Sequence, residues 1–206
     1  MPLRVLPAGE SAVLLETETG AQAEALHAEL VRRRAAGELP GVTEIVPAAR
    51  TVLVSGLAEP GRFAERVPGW DVPPVAAEEG TEVRIAVRFD GPDLAEVAGL
   101  WGVAPGEVAG VVAATPFRVA FCGFAPGFGY LTGLPERLHV PRRAEPRTAV
   151  PAGAVALAGP YAGVYPRSSP GGWQVIGTTG AALWDPRREP AALLSPGTRV
   201  RFTEER

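Results

Sequence analysis

The sequence predicts an α+β N-terminal domain followed by a mainly β domain closed, or nearly closed, into a barrel. Three observations carry this reading. Short strand-like runs alternate with an amphipathic helix in roughly the first 70 residues, as a sheet with helices on one face requires. A Pro-rich and then acidic stretch over residues 71–81, ending in Glu78-Glu79-Gly80-Thr81, offers little that packs as a regular element. Beyond Phe117, short apolar runs lie between clusters of Gly and Pro, and closing such strands removes their exposed edges. The boundary falls near residue 80, giving domains at 1–76 and 82–206.

In the first domain, Ser11-Ala12-Val13-Leu14-Leu15-Glu16 reads as a buried strand. Thr19-Gly20 offers a cap. Ala23, Leu26, Leu30 and Val31 then recur at helical spacing, predicting a helix from residue 21 to about 37, before Pro40-Gly41 breaks it. Residues 42–46 and 51–54 have strand character, and 62–67 suits a short helix. The second domain opens on the period-two run at 83–89 and the turn Asp90-Gly91-Pro92. Helices are expected at 93–100 and from 105 to about 113, the latter with Pro105 at its start, where a missing N–H costs nothing. Later strands are expected at 117–121, 155–158, 173–176 and 199–202.

Composition narrows the function. A net charge of −3 gives no footprint for nucleic acid or an anionic membrane. The cluster Arg32-Arg33-Arg34 reads as the solvated end of a helix. No apolar stretch approaches the roughly 20 residues of a membrane span, and the N-terminus lacks a signal peptide's apolar core, so a cytoplasmic location is expected. The chain has no Lys and no Asn, so no P-loop or Schiff-base lysine comes from it. Its single cysteine, Cys122, excludes an internal disulfide and a Cys-based metal cluster and reads as an inert thiol.

The familiar catalytic patterns are absent. His27 sits beside Leu26 in the helix and reads as structural; His139 has no second His or Cys nearby, so no metal site is expected. What remains is a set of Gly/Pro/aromatic loops. Gly123-Phe124-Ala125-Pro126-Gly127-Phe128-Gly129-Tyr130 supplies flat apolar walls and close backbone approach. Ser168-Ser169-Pro170-Gly171-Gly172-Trp173-Gln174 adds hydroxyls, backbone N–H groups, an indole and an amide. Arg142, Arg143 and Arg147 suit a carboxylate or another planar anion. Together they predict a small-ligand cleft, with Phe124, Pro126, Gly127, Phe128, Tyr130, Arg142, Arg143, Gly153, Gly171, Gly172 and Trp173 binding substrate. Arg147, Gln174 and Ser169 are the expected catalytic groups, Gln174 and the serine hydroxyls orienting an amide.

These loops, with Pro141-Arg142-Arg143, Pro146-Arg147, Val150-Pro151-Ala152-Gly153, Gly163-Val164-Tyr165-Pro166, Trp184-Asp185-Pro186 and Pro196-Gly197, resemble the family that includes the B-type subunit of 5-oxoprolinase, allophanate hydrolase subunit 1 and the kinase inhibitor KipI. Val46-Pro47-Ala48-Ala49-Arg50 extends the resemblance into the first domain. The resemblance implies a ferredoxin-like leading domain and a cyclophilin-like barrel. It also implies a carboxyltransferase-type subunit of an ATP-dependent enzyme that opens 5-oxoproline to glutamate. Its partners would be 5-oxoprolinase subunits A and C, the latter carrying a related barrel. ATP would bind at a site shared with those partners, and the isolated chain would have no activity. The alternatives implied are an allophanate hydrolase or urea carboxylase-type subunit and a KipI-like inhibitor of a histidine kinase. The chain departs from the family where Val112 stands near a common His and Gly129 where Pro is usual.

Overall fold

In the computed structural model, which describes residues 2–76 and 80–205, the chain divides into two units, Met1–Glu79 and Gly80–Arg206. The acidic pair Glu78-Glu79 of the expected linker lies outside the described residues.

Alternating side chains organise the first unit. In β2 (Ala12–Thr17) and β4 (Thr51–Ser55), Val13, Leu15, Val52 and Val54 point to one face and are buried. With β1 (Leu3–Pro7) and β3 (Glu44–Pro47) these strands form an antiparallel sheet in the order β1-β2-β4-β3. The sequence reading missed β1, an edge strand whose apolar residues are only half-buried and which prolines flank at positions 2 and 7. Helix α1 (Gly20–Ala35) covers the sheet with Ala23, Leu26 and Leu30. It starts on a capping box in which Thr19 accepts from the Gln22 N–H while the Gln22 side chain accepts from the Thr19 N–H. It stops as Gly37 turns left-handed at φ 76°, one turn before Pro40. Helix α2 (Pro60–Arg66) begins two residues before the expected start because Pro60 occupies its first turn.

The arginine cluster at the end of α1 is more than solvated charge. Arg32 and Arg33 both hydrogen-bond the buried Glu29 carboxylate, and both pair with Glu38. The Arg33 guanidinium also lies 4.0 Å from the centre of the Trp70 ring.

The second unit holds a sheet of seven strands ordered β12-β9-β10-β7-β6-β13-β5. In chain order they are β5 (Glu82–Val87), β6 (Phe117–Cys122), β7 (Gly129–Thr132), β9 (Ala154–Ala158), β10 (Tyr161–Val164), β12 (Gln174–Thr178) and β13 (Arg199–Glu204). β8 (Arg147–Val150) and β11 (Ser169–Gly171) form a separate antiparallel ribbon. The pairing of β5 with β13 is parallel. The chain leaving β5 then reaches the opposite edge strand. Arg88 and Thr178 exchange two backbone hydrogen bonds, and the Gly91 and Asp93 N–H groups donate to Ile176 and Val175. The sheet is therefore nearly closed into a barrel, its interior filled by Ile85, Val119, Leu131, Leu157, Ile176 and Phe202. Gly91 makes this closure possible, because a Cβ there would lie 2.3 Å from the Val175 carbonyl oxygen.

Helices α3 (Leu94–Trp101) and α4 (Val108–Ala114) pack on β12 and β13. Residues 105–107 form a 3-10 turn that leads into α4, so the expected second helix is split in two. Val112 is fully buried in the core. Among the described residues no single helix is long and apolar enough to cross a membrane.

Candidate functional site

The site begins with a turn. β6 and β7 are antiparallel neighbours with Cys122 opposite Gly129, so residues 123–128 must reverse the chain tightly. The Ala125 N–H reaches back to the Gly123 carbonyl at 2.7 Å, which centres a three-residue turn on Phe124 with φ 65°. Such a turn is uncommon and strained for a bulky residue. It leaves the Phe124 side chain 57% exposed, edge-on to Phe128 and Tyr165.

Five rings converge behind it. Phe128 contacts Tyr130, Tyr165 and Trp173 edge-to-face at centroid separations of 5.0–5.5 Å, and Tyr130 stacks on Phe121 at 4.3 Å. Of these, Phe128, Tyr130, Tyr165 and Trp173, with Phe124, Arg142, Pro146, Pro170, Gly171 and Gly172, enclose a cavity of about 310 Å³, at the small end of ligand sites. Arg142 is exposed and makes no ion pair or hydrogen bond among the described residues, so its charge is available at the cavity.

One wall of the cavity is a strap, residues 141–147, and a residue the sequence reading treated only as a helix start holds it. Asp93, 2% exposed, makes no capping bond to α3. Its carboxylate instead accepts from Arg143 at 2.6 Å, from two Arg147 nitrogens at 2.7 and 2.8 Å, and from the Val175 N–H at 2.7 Å. Burial pushes the Asp93 pKa up. The Arg147 hydrogen bonds, the Val175 N–H and the two guanidinium charges outweigh burial and hold it below the usual carboxylate range. A second tie runs from Gln174, whose amide donates to Glu96 at 3.0 Å and to the Pro141 carbonyl at 3.4 Å. A third is the Arg143 N–H to the Gly172 carbonyl.

The structure therefore separates the residues singled out in the sequence. Phe124, Phe128, Tyr130, Arg142, Gly171, Gly172 and Trp173 line the cavity. Arg147, Gln174 and Arg143 do not line it and serve to anchor the strap, because Asp93 and Glu96 engage them. Ser169 is buried, with its hydroxyl toward the Arg167 carbonyl at 3.3 Å. Pro126 lies on the turn outside the cavity lining, and Gly127 backs onto Leu183 and Trp184. Gly153 takes a φ of 80° between Tyr165 and Thr179, serving as a turn between β8 and β9. Asp93 and Tyr165 are the residues sequence reasoning missed as site groups. Asp93 carried no signal beyond an Asp ahead of a helix, whereas Tyr165 stood in plain view within Gly163-Val164-Tyr165-Pro166.

The remaining reactive side chains lie apart from the cavity lining. His27 has its pKa lowered by burial and by the Arg34 charge. His139 approaches the Leu134 carbonyl at 3.1 Å. Burial pushes the Cys122 thiol up to about 11, which keeps it protonated and unreactive near neutral pH. Among the described residues no group of three or more His, Cys, Asp or Glu is placed to hold a metal ion.

Comparison with known proteins places this geometry. Residues 3–194 match the model of the carboxyltransferase domain, subdomain C and D. The chain belongs to that family. Across 206 aligned residues it is 40% identical to the B-type subunit of 5-oxoprolinase from Escherichia coli O157:H7, covering 96% of this chain and 94% of that relative. The crystal structure of TTHA0988 superposes with a TM-score of 0.79 at 35% identity over 96% of this chain, which spans only 40% of that longer chain. The urea amidolyase of K. lactis shares the fold, with a TM-score of 0.73 at 17% identity over 98% of this chain and 15% of that one. Val112, read from the sequence as a departure from the resembled family, is a core residue of α4 and does not line the cavity.

Proposed function

We propose that this chain is the B-type subunit of a multi-subunit, ATP-dependent 5-oxoprolinase that hydrolyses 5-oxo-L-proline to L-glutamate. The observation that carries the reading is the near full-length 40% identity to a relative of that name. The cavity supports it: flat aromatic walls suit a small planar lactam, and Arg142 suits its carboxylate. In finer detail we read a ferredoxin-like domain at 1–76 and a cyclophilin-like barrel at 82–206, in a cytoplasmic complex with subunits A and C.

The residues divide the labour as follows. The rings bind the lactam and shed water from it; Arg142 orients it; Asp93 keeps the strap in place. ATP would supply the activation that an amide-stabilised lactam needs. This cavity does not suit a nucleotide, since triphosphate calls for several donors and Arg143 and Arg147 are engaged by Asp93. We therefore assign ATP to a site carried by, or shared with, the partner subunits, which also leaves the isolated chain inactive. Developing negative charge at the lactam oxygen then meets donors from outside this chain. A subunit acting on a urea-derived substrate is the second reading, favoured by the fold shared with urea amidolyase alone.

The test is the Arg142→Gln complex. Steady-state turnover of 5-oxoproline should show KM raised about tenfold or more, as loss of a charged hydrogen bond predicts, with kcat changed far less. A KM within about twofold of wild type would contradict the assignment of this cavity.

A further inference from the structure

Tyr165 brings to the cavity a hydroxyl that binding by the aromatic rings does not use. It is only 2% exposed, yet it lines the cavity and its hydroxyl makes no hydrogen bond among the described residues. With no protein partner among the described residues and the cavity in front of it, the hydroxyl is within reach of a bound ligand. Its position is enforced. Phe124 and Phe128 pack edge-on against the ring at 6.1 and 5.5 Å, and the hydroxyl lies over Gly171, where a Cβ would stand 2.3 Å from it. Any side chain at residue 171 would displace the hydroxyl or fill the cavity there. The neighbouring positive charges are unequal partners. Arg147 is held by Asp93, whereas Arg142 is unpaired and lines the same cavity. Both guanidinium groups lie close enough to act on the phenol electrostatically, although burial dominates and pushes its pKa up. The phenol thus stays protonated near neutral pH and acts as a donor.

We propose that the Tyr165 hydroxyl and the Arg142 guanidinium form a two-donor clamp for the carboxylate of the bound lactam, so that this cavity selects lactams bearing a carboxylate next to the ring nitrogen over uncharged ones. The clamp rests on the oxoprolinase reading and adds a specificity determinant to it. Two donors of different geometry fix the orientation of a carboxylate, which a single mobile guanidinium does not.

The test compares wild-type complex with the Tyr165→Phe complex, using 5-oxoproline and 2-pyrrolidinone, which differ by the carboxylate. Trp173, in the cavity wall, gives a fluorescence readout of binding, and glutamate release gives turnover. Wild type should bind 5-oxoproline about tenfold or more tightly than 2-pyrrolidinone, and Tyr165→Phe should lower that ratio about tenfold, raising KM for 5-oxoproline with little change in kcat. Tyr161→Phe, which removes a hydroxyl outside the cavity lining, serves as the control for folding and assembly and should leave the ratio unchanged. If wild type discriminates and Tyr165→Phe discriminates equally, the clamp is overturned and the oxoprolinase reading stands. If the complete wild-type complex neither binds nor turns over 5-oxoproline, the reading fails and takes the clamp with it.

Discussion

At the scale of single residues, the site depends on how one carboxylate is used. Asp93 stands where an N-cap normally bonds its own helix, yet it spends its oxygens on Arg143, Arg147 and the Val175 N–H. Asp93→Asn would leave two guanidinium groups facing an amide. Breaking such a pair from one side costs about 3 kcal/mol when both arginines are partly shielded, as these are at 28% and 24% side-chain exposure. A lowered urea midpoint with unchanged slope would confirm this; an unchanged midpoint would show that the strap is held by other contacts. None of this was legible beforehand, because the partners lie 50 and 54 residues away in sequence. The reverse holds for Phe124, Phe128, Tyr130 and Trp173. Their contribution is apolar surface at glycine-rich turns, which leaves a local trace in the sequence, and the structure brings all of them to one cavity.

At the scale of elements, legibility followed periodicity. Helix α1 carried a cap, a regular apolar stripe and a terminating glycine; Ala23, Leu26 and Leu30 of that stripe are in the core, whereas Val31 is only half-buried. The short strands β7, β8, β10 and β11 have three or four residues each, too few to show a period, and only pairing partners elsewhere in the chain define them. The end of α1 holds a testable electrostatic device. The hydrogen bond from Arg32, opposed by burial and reinforced by Arg33, depresses the Glu29 pKa to about 2. A carboxylate depressed in the folded state stabilises above its unfolded pKa and loses that contribution as pH falls through the folded value. Glu29→Gln should therefore destabilise the protein by about 2 kcal/mol at about pH 7, allowing for solvent around Arg32. The difference from wild type should shrink between the ordinary Glu value of 4.5 and about 2. Denaturant midpoints across that range measure it, and a pH-independent difference would mean that packing rather than charge is at work.

At the scale of the whole molecule, the barrel places its recognition groups on loops at one cavity while the strands behind them supply rigidity. The chain supplies apolar walls, an unpaired arginine and a tyrosine hydroxyl, and the other two arginines of the strap are engaged by Asp93. That inventory suits binding and orientation better than a complete hydrolytic cycle, which is why activity is assigned to an assembly. The decisive measurement is ATP-dependent glutamate release from 5-oxoproline, made with the purified chain, with its presumed partner subunits, and with the complete mixture. Release only from the complete mixture, abolished when this chain is omitted, is the predicted result. A complete, correctly assembled mixture that releases no glutamate, or one that works equally well without this chain, would contradict the account.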